Sequence, residues 1–134
     1  MQKLTTFFMF VGEQHGKAEE AMRFYVSLFP DSAISHVERY GPGEVDPEGT
    51  LKYASFTLAG QEFMAIDSGY DHQFGFTPAV SVHVRCESEA EIDALYARLS
   101  EGGMALMPLD DYGFGQKYAW VADRYGVTWQ LRLD

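Results

Sequence analysis

The positions at which chemistry could occur lie on two stretches in the second half of the chain, where polar and apolar side chains alternate. The polar positions of interest on these stretches are Ser81, His83, Thr128 and Gln130. Alternation of this kind predicts β-strands with one apolar and one polar face. An imidazole, an amide and two hydroxyls can hydrogen-bond a small molecule, and the imidazole can also transfer a proton or bind a metal ion. The sequence therefore predicts a polar strand face as the candidate site.

A purely structural role is the alternative for each of these side chains. A strand histidine such as His83 is more often a hydrogen-bonded structural residue than a ligand or a base, and Gln130 could simply satisfy a neighbouring group. Cys86 stands beside Glu87, whose negative charge should raise the pKa of the thiol and make it a poor nucleophile. His15, in a loop bounded by glycines, is expected to be exposed. No Ser-His-Asp set is recognisable by spacing, so the sequence assigns no catalytic residue.

Composition excludes several classes of function. The chain has 134 residues, of which 46% are hydrophobic and 15% aromatic, which is typical of a folded globule with a core. Its formal charge of −10 argues against a nucleic-acid partner and gives no reason to expect an anionic membrane surface. No apolar run has the length of a membrane span, and no signal-peptide pattern is visible. The single cysteine fits a reducing compartment, so we expect a cytoplasmic protein.

Hydrophobic periodicity predicts the same order of elements twice, strand, helix, strand, strand, strand, within one domain over residues 1–134. The first unit, 1–67, has predicted elements at 4–11, 18–29 (helix), 33–40, 50–58 and 61–67. The second unit, 79–134, has them at 79–86, 89–99 (helix), 104–107, 118–122 and 127–132. Val80, Val82 and Val84 are predicted to form the face that the second helix covers.

The last strand of the first unit can be aligned in sequence with the last strand of the second unit. Setting Gly60 on Gly126 places Phe63 on Trp129 and Met64 on Gln130. Trp129 alternates with other apolar residues and is predicted to be core. The remaining aromatic side chains of this region are interpreted as core rather than as ligand-stacking residues: Phe114, Tyr118 and Trp120.

Three stretches resemble one known family. They are AEEAMRFY (18–25), GQEFMA (60–65) and DRYGVTWQ (123–130). Together with the doubled βαβββ order, they are similar to the vicinal-oxygen-chelate superfamily, which includes glyoxalase I, bleomycin-resistance proteins and extradiol dioxygenases. Within it they resemble the PhnB-like branch, sometimes labelled 3-demethylubiquinone-9 3-methyltransferase. The resemblance implies an α+β fold with a curved eight-stranded sheet cup. No S-adenosylmethionine-binding pattern accompanies the methyltransferase label.

The resemblance also implies where a site would lie, inside the cup, with the loop 110–115 over its mouth. Strand alternation then gives the predicted ligand-binding set: Glu62, Met64, Ser81, His83, Thr128 and Gln130, with Tyr112 and Phe114 from the loop. Metal-using members carry Asp-x-x-Gly-x-x-x-Glu on the last strand. Here Asp123 and Gly126 match, but Gln130 occupies the Glu position, and Met64 is its repeat partner. We therefore expect no metal and no cofactor; if a metal bound, its ligands would be His83 and Glu62.

Three hypotheses follow from these residues. The first is a homodimer that binds a small molecule in the cup without a metal. The second is a metal-dependent lyase, isomerase or dioxygenase, and the third is a structural dimer without a ligand. The dimer is expected because the first strand carries Phe7, Phe8 and Phe10, too many large apolar groups for a half-exposed strand.

Overall fold

A computed structural model describes residues 2–113 and 115–134. The described chain divides into two units, Met1–Gly75 and Phe76–Asp134. Each unit contains one α-helix and one four-stranded sheet with one parallel and two antiparallel strand pairs. The predicted α+β class with two βαβββ units is confirmed. No helix in the described residues is long and apolar enough to cross a membrane.

The first unit follows the predicted order, with element ends shifted by one or two residues. Its strand order is β1-β4-β3-β2, with β1 parallel to β4. A 3-10 turn, Gly12–Gln14, follows the first strand. The elements are β1 (Thr6–Phe10), α1 (Ala18–Leu28), β2 (Ala33–Arg39), β3 (Leu51–Leu58) and β4 (Gln61–Asp67).

The second unit repeats this topology. Its strand order is β5-β8-β7-β6, with β5 parallel to β8. The strand predicted at 104–107 is longer than expected and ends at Asp110, which the sequence had assigned to the following loop. The elements are β5 (Ser81–Cys86), α2 (Glu89–Ser100), β6 (Met104–Asp110), β7 (Lys117–Ala122) and β8 (Thr128–Leu133).

Each helix packs on one face of its own sheet. In α1 the buried residues Ala18, Ala21, Met22 and Tyr25 recur at helical spacing, so they form one apolar stripe. In α2, Ser88 is the N-cap, and its hydroxyl accepts the backbone N–H of Glu91 at 3.1 Å. Each sheet therefore has one face against its helix and one opposite face, which we call the open face.

Successive side chains along each strand alternate between the helix-covered face and the open face. Phe63 and Trp129, which the repeat superimposes, are both buried on the helix side of their sheets. The turns before them contain Gly60 and Gly126, at φ of 81° and 92°, a conformation that glycine adopts without steric cost. The prediction for Val80 is wrong: it precedes β5 and its side chain is 77% exposed.

Candidate functional site

Strand register brings four predicted site residues together on the open face of the second unit. β5 pairs with β8 so that Ser81 lies beside Thr128 and His83 lies beside Gln130. β7 pairs with the other edge of β8 and places Trp120 beside Gln130. Residues paired in this way project to the same face of a sheet. The row His83, Gln130, Trp120 is therefore the centre of the candidate site.

The hydroxyl groups at one end of this face form a closed hydrogen-bond network. Thr128 is buried, and its Oγ1 donates to the backbone oxygen of Val80 at 2.9 Å. Its one proton is thereby used, so Ser81 Oγ is the donor in the 2.7 Å bond between the two hydroxyls. The indole N–H of Trp120 donates to Ser81 Oγ at 3.2 Å. Ser81 and Thr128 thus fix the position of Trp120 and keep no proton for a ligand.

Gln130 is oriented by a residue that the sequence interpretation treated as core. The hydroxyl of Tyr118 donates to Gln130 Oε1 at 2.8 Å. Burial, with a smaller contribution from Tyr112, raises the pKa of Tyr118, so the phenol keeps its proton at neutral pH. Because the amide oxygen accepts this hydrogen bond, the amide NH₂ of Gln130 is directed elsewhere and is available as a donor.

A histidine and two arginines extend the same face. His83 is exposed, and its imidazole makes no hydrogen bond to any residue in 2–113 or 115–134. Two positions along each strand, roughly 7 Å away, Arg85 lies beside Arg132. Arg132 pairs with Asp134 at 2.7 Å. The open face therefore offers hydrogen-bond donors and positive charge on a chain whose net charge is −10.

The loop after β6 contributes one side chain to this region. The ring of Tyr112 contacts that of Tyr118 edge to face, with centroids 6.1 Å apart. Its hydroxyl donates to the backbone oxygen of Pro108 at 2.6 Å, which anchors the side chain to the end of its own strand. Phe114, the other predicted loop residue, lies outside the described residues.

The two predicted site residues of the first unit lie on the open face of their own sheet. Met64 lies beside Phe7 on β1 and beside Ser55 on β3. Glu62 lies beside Thr57, one step along the same face. The positions that correspond to His83 and Gln130 thus hold Phe7 and Met64. The role of Glu62 and Met64 in binding a ligand remains a prediction.

The donor set does not fit a divalent metal of the kind that vicinal-oxygen-chelate enzymes use. Phe7 has no ligand atom, Met64 offers a thioether, Gln130 offers a neutral amide whose oxygen already accepts from Tyr118, and only His83 is a good ligand. Among the residues that the structure describes, no three His, Cys, Asp or Glu side chains are grouped so that they could hold a metal ion.

Several residues differ from their sequence interpretation. Trp120 is only partly buried and lies on the open face, whereas Tyr118, which lies on the same face, is buried as predicted. Cys86 has the expected raised pKa, about 11, but the main cause is burial, with a contribution from Glu91 and not from Glu87. His15 is only partly exposed, and its Nε2 atom is buried.

Comparison with known proteins agrees with this fold. Residues 2–132 match the family model described as 3-demethylubiquinone-9 3-methyltransferase. The chain belongs to this PhnB-like family. A PhnB protein from Bacillus cereus is 53% identical, with a TM-score of 0.94 over 99% of this chain and 100% of that one.

More distant solved structures share this fold. A glyoxylase/bleomycin resistance protein/dioxygenase domain from Frankia has a TM-score of 0.63 at 15% identity, covering 99% of this chain and 98% of that one. The fosfomycin resistance protein FosX from Listeria monocytogenes, in a complex with Mn(II), has a TM-score of 0.64 at 10% identity. The alignment covers 100% of this chain and 94% of FosX. Likenesses at these identities indicate the fold alone.

Proposed function

We propose that this PhnB-like protein binds a small organic molecule on the open face of its second unit without a metal ion. The observation that carries the proposal is the Tyr118–Gln130 hydrogen bond at 2.8 Å. It aims the amide NH₂ of Gln130 at the same face as the imidazole of His83, so two donor groups stand side by side. A few placed polar groups beside aromatic surface are the usual composition of a small-molecule site.

The chemistry of these groups defines the ligand class. The ligand presents a carbonyl or carboxylate oxygen that accepts from Gln130 and His83. Arg85, two positions further along β5, favours a negative charge on that oxygen. The apolar part of the ligand packs against Trp120, whose ring is held by the hydroxyl of Ser81. Glu62 and Met64 of the first unit are not required by this proposal.

Three probes of one shape test this class of ligand. We expect benzoate and benzamide to perturb the NMR resonances of His83, Gln130 and Trp120, and benzylamine to leave them unchanged. Removal of one hydrogen bond in His83→Ala or in Gln130→Leu should weaken benzoate binding about fivefold. His36→Ala is the matched control, because His36 is an exposed strand histidine of the first unit.

Tyr118→Phe tests whether binding needs Gln130 to be oriented by Tyr118, and not only to be present. It should weaken benzoate binding while Gln130 is retained, because the amide is no longer oriented. Binding that is unaffected by all three site variants, or no perturbation by benzoate, contradicts the proposal. The structural-dimer hypothesis would then be the better one.

Metal analysis tests the alternative of a metal-dependent lyase, isomerase or dioxygenase. We expect protein purified without a histidine tag to contain far less than one equivalent of Zn, Ni, Mn or Fe per chain, since one imidazole cannot hold a dication alone. One equivalent per chain that is lost in His83→Ala would overturn the metal-free proposal and favour the enzyme.

We also expect a homodimer. On the open face of the first unit Phe7 is 49% exposed, in a row with Met64 and near Tyr53, which is 36% exposed. Apolar side chains grouped in this way are typical of an interface. Sedimentation should give the mass of two 15.1 kDa chains, and Phe7→Asp should give a monomer. Val45→Asp, at a loop residue that is 89% exposed, is the control. A wild-type monomer at every concentration would contradict this expectation.

A further inference from the structure

A cavity of about 340 Å³ lies in the first unit, between the turn after β1 and the segment that follows β4. All of its lining residues belong to Met1–Gly75, so it is a different site from the open face of the second unit. Its volume falls at the lower end of the range of small-molecule pockets. The side chains used below are those of His15, Tyr70, Asp71, His72 and Phe74.

A buried carboxylate next to the cavity fixes one of the two segments that line it. Asp67 is 1% exposed, and its Oδ1 accepts the backbone N–H groups of Gly16 at 2.8 Å and Ala18 at 3.1 Å. The backbone N–H of Ser68 donates to the oxygen of Phe10 at 3.0 Å. Both loops are therefore fixed to the sheet at their roots, and the cavity is formed before any ligand enters.

A polar atom beside this cavity lacks a partner. The Nε2 atom of His15 is buried without a hydrogen bond to any described residue. A Cβ atom added to Gly69 would lie 3.3 Å from that nitrogen and 2.5 Å from Oδ1 of Asp46. The imidazole and the carboxylate therefore both lie close against the backbone of Gly69, whose N–H the two Asp46 carboxylate oxygens accept at 3.2 Å. Burying the imidazole nitrogen unpaired is unfavourable, so a ligand in the cavity that hydrogen-bonds to it is favoured.

Aromatic rings and carboxylates define what could occupy the cavity. Tyr70 and Phe74 are 76% and 61% exposed, and their rings stand 5.2 and 5.1 Å from the imidazole of His72. Asp71 lies between them in sequence and also lines the cavity. Ring faces beside carboxylates attract cations, and they disfavour anions.

We propose that this cavity binds a small organic amine in its ammonium form. The ammonium group donates to Nε2 of His15 and lies near the carboxylates of Asp46 and Asp71. The hydrocarbon part of the amine packs against Tyr70 and Phe74. The expected charge preference is opposite to that of the second unit, where donors and arginines favour an acceptor oxygen.

The test uses benzylamine, with benzoate as the probe of matched shape. We expect benzylamine to shift the backbone amide resonances of 12–16 and 69–74, and benzoate to leave them unchanged. Gly69→Ala should abolish the benzylamine shifts, because the new methyl group displaces the Asp46 carboxylate and presses on the imidazole of His15. Gly75→Ala is the matched control, since a Cβ there meets nothing within 4 Å, and it should bind as the wild type does.

A second variant tests the aromatic wall without relying on Gly69. Phe74→Leu keeps an apolar side chain but removes the ring, and should weaken benzylamine binding about threefold. Tyr96→Leu, which removes a ring from α2 of the second unit, should not. The proposal is overturned by equal shifts with benzoate, by no shift of these loops at any benzylamine concentration tested, or by unchanged binding in Gly69→Ala. None of these results depends on whether benzoate binds the second unit.

Discussion

Trp129→Ala should lower the free energy of unfolding by about 3–5 kcal/mol, the usual cost of truncating a large aromatic residue in a core. Trp129 has no exposed surface and lies on the helix side of β8. Its indole N–H also donates to Oδ2 of Asp123 at 2.9 Å, and Asp123 is itself buried. The substitution leaves a cavity under α2 and removes a donor from a buried carboxylate. The expected loss is a large part of the stability of a typical domain.

Urea denaturation followed by circular dichroism measures this loss, and Trp120→Ala is the matched control. Trp120 lies on the open face and is only partly buried, so its truncation should cost clearly less. If Trp129→Ala does not fold, Trp129→Phe still tests the assignment, because it retains one ring while it removes the indole donor and part of the buried volume. A melting temperature of Trp129→Ala within two or three degrees of the wild type would contradict the burial of this side chain.

Strand alternation was sufficient to predict Trp129, but it could not show which of the two apolar faces of β7 is the buried one. Tyr118 and Trp120 occupy every second position of a stretch that is apolar or aromatic throughout, so period two gives no contrast. Their face is decided by the register with β8, which sets Trp120 beside Gln130. That pairing and the Tyr118 hydrogen bond are tertiary facts that one sequence does not contain.

The error at Val80 has a similar cause. The apolar run suggested a strand from residue 79, but the pairing of β5 with β8 begins with Ser81 beside Thr128. Before that point Val80 has no residue of β8 beside it in the ladder, although its carbonyl accepts from Thr128 Oγ1. The length of a strand is set by its neighbour as well as by its own composition.

The loop that contains His15 also depends on a contact that the sequence does not predict, here between residues far apart in the chain. Glycines at both ends indicated an exposed segment, yet Nε2 of His15 is buried. The cause is Asp67, 51 residues from Gly16, whose carboxylate holds the loop against the end of β4. A buried aspartate at a strand end is an unremarkable residue in the sequence, and only its partners reveal that it organises the loop.

Asp67→Ala should therefore have a comparably large effect, a loss of at least about 3 kcal/mol, because it leaves three backbone donors without an acceptor and each buried unpaired group costs about 1–3 kcal/mol. Besides Gly16 and Ala18, the carboxylate accepts the backbone N–H of Leu51 at 2.9 Å. It thus joins the start of α1 and the start of β3 to the end of β4.

Native-state hydrogen exchange distinguishes this role from a general loss of stability. In Asp67→Ala the amides of Gly16, Ala18 and Leu51 should lose protection by more than the fall in global stability, whereas Asp71→Ala, at an exposed residue, should change neither. Asp67→Asn should be intermediate, because its oxygen can still accept at one position while its NH₂ group meets a backbone donor at the other. Unchanged protection at all three amides in Asp67→Ala would mean that another group holds these segments together. The segments that line the cavity beside His15 would then be anchored by that other group and not by Asp67.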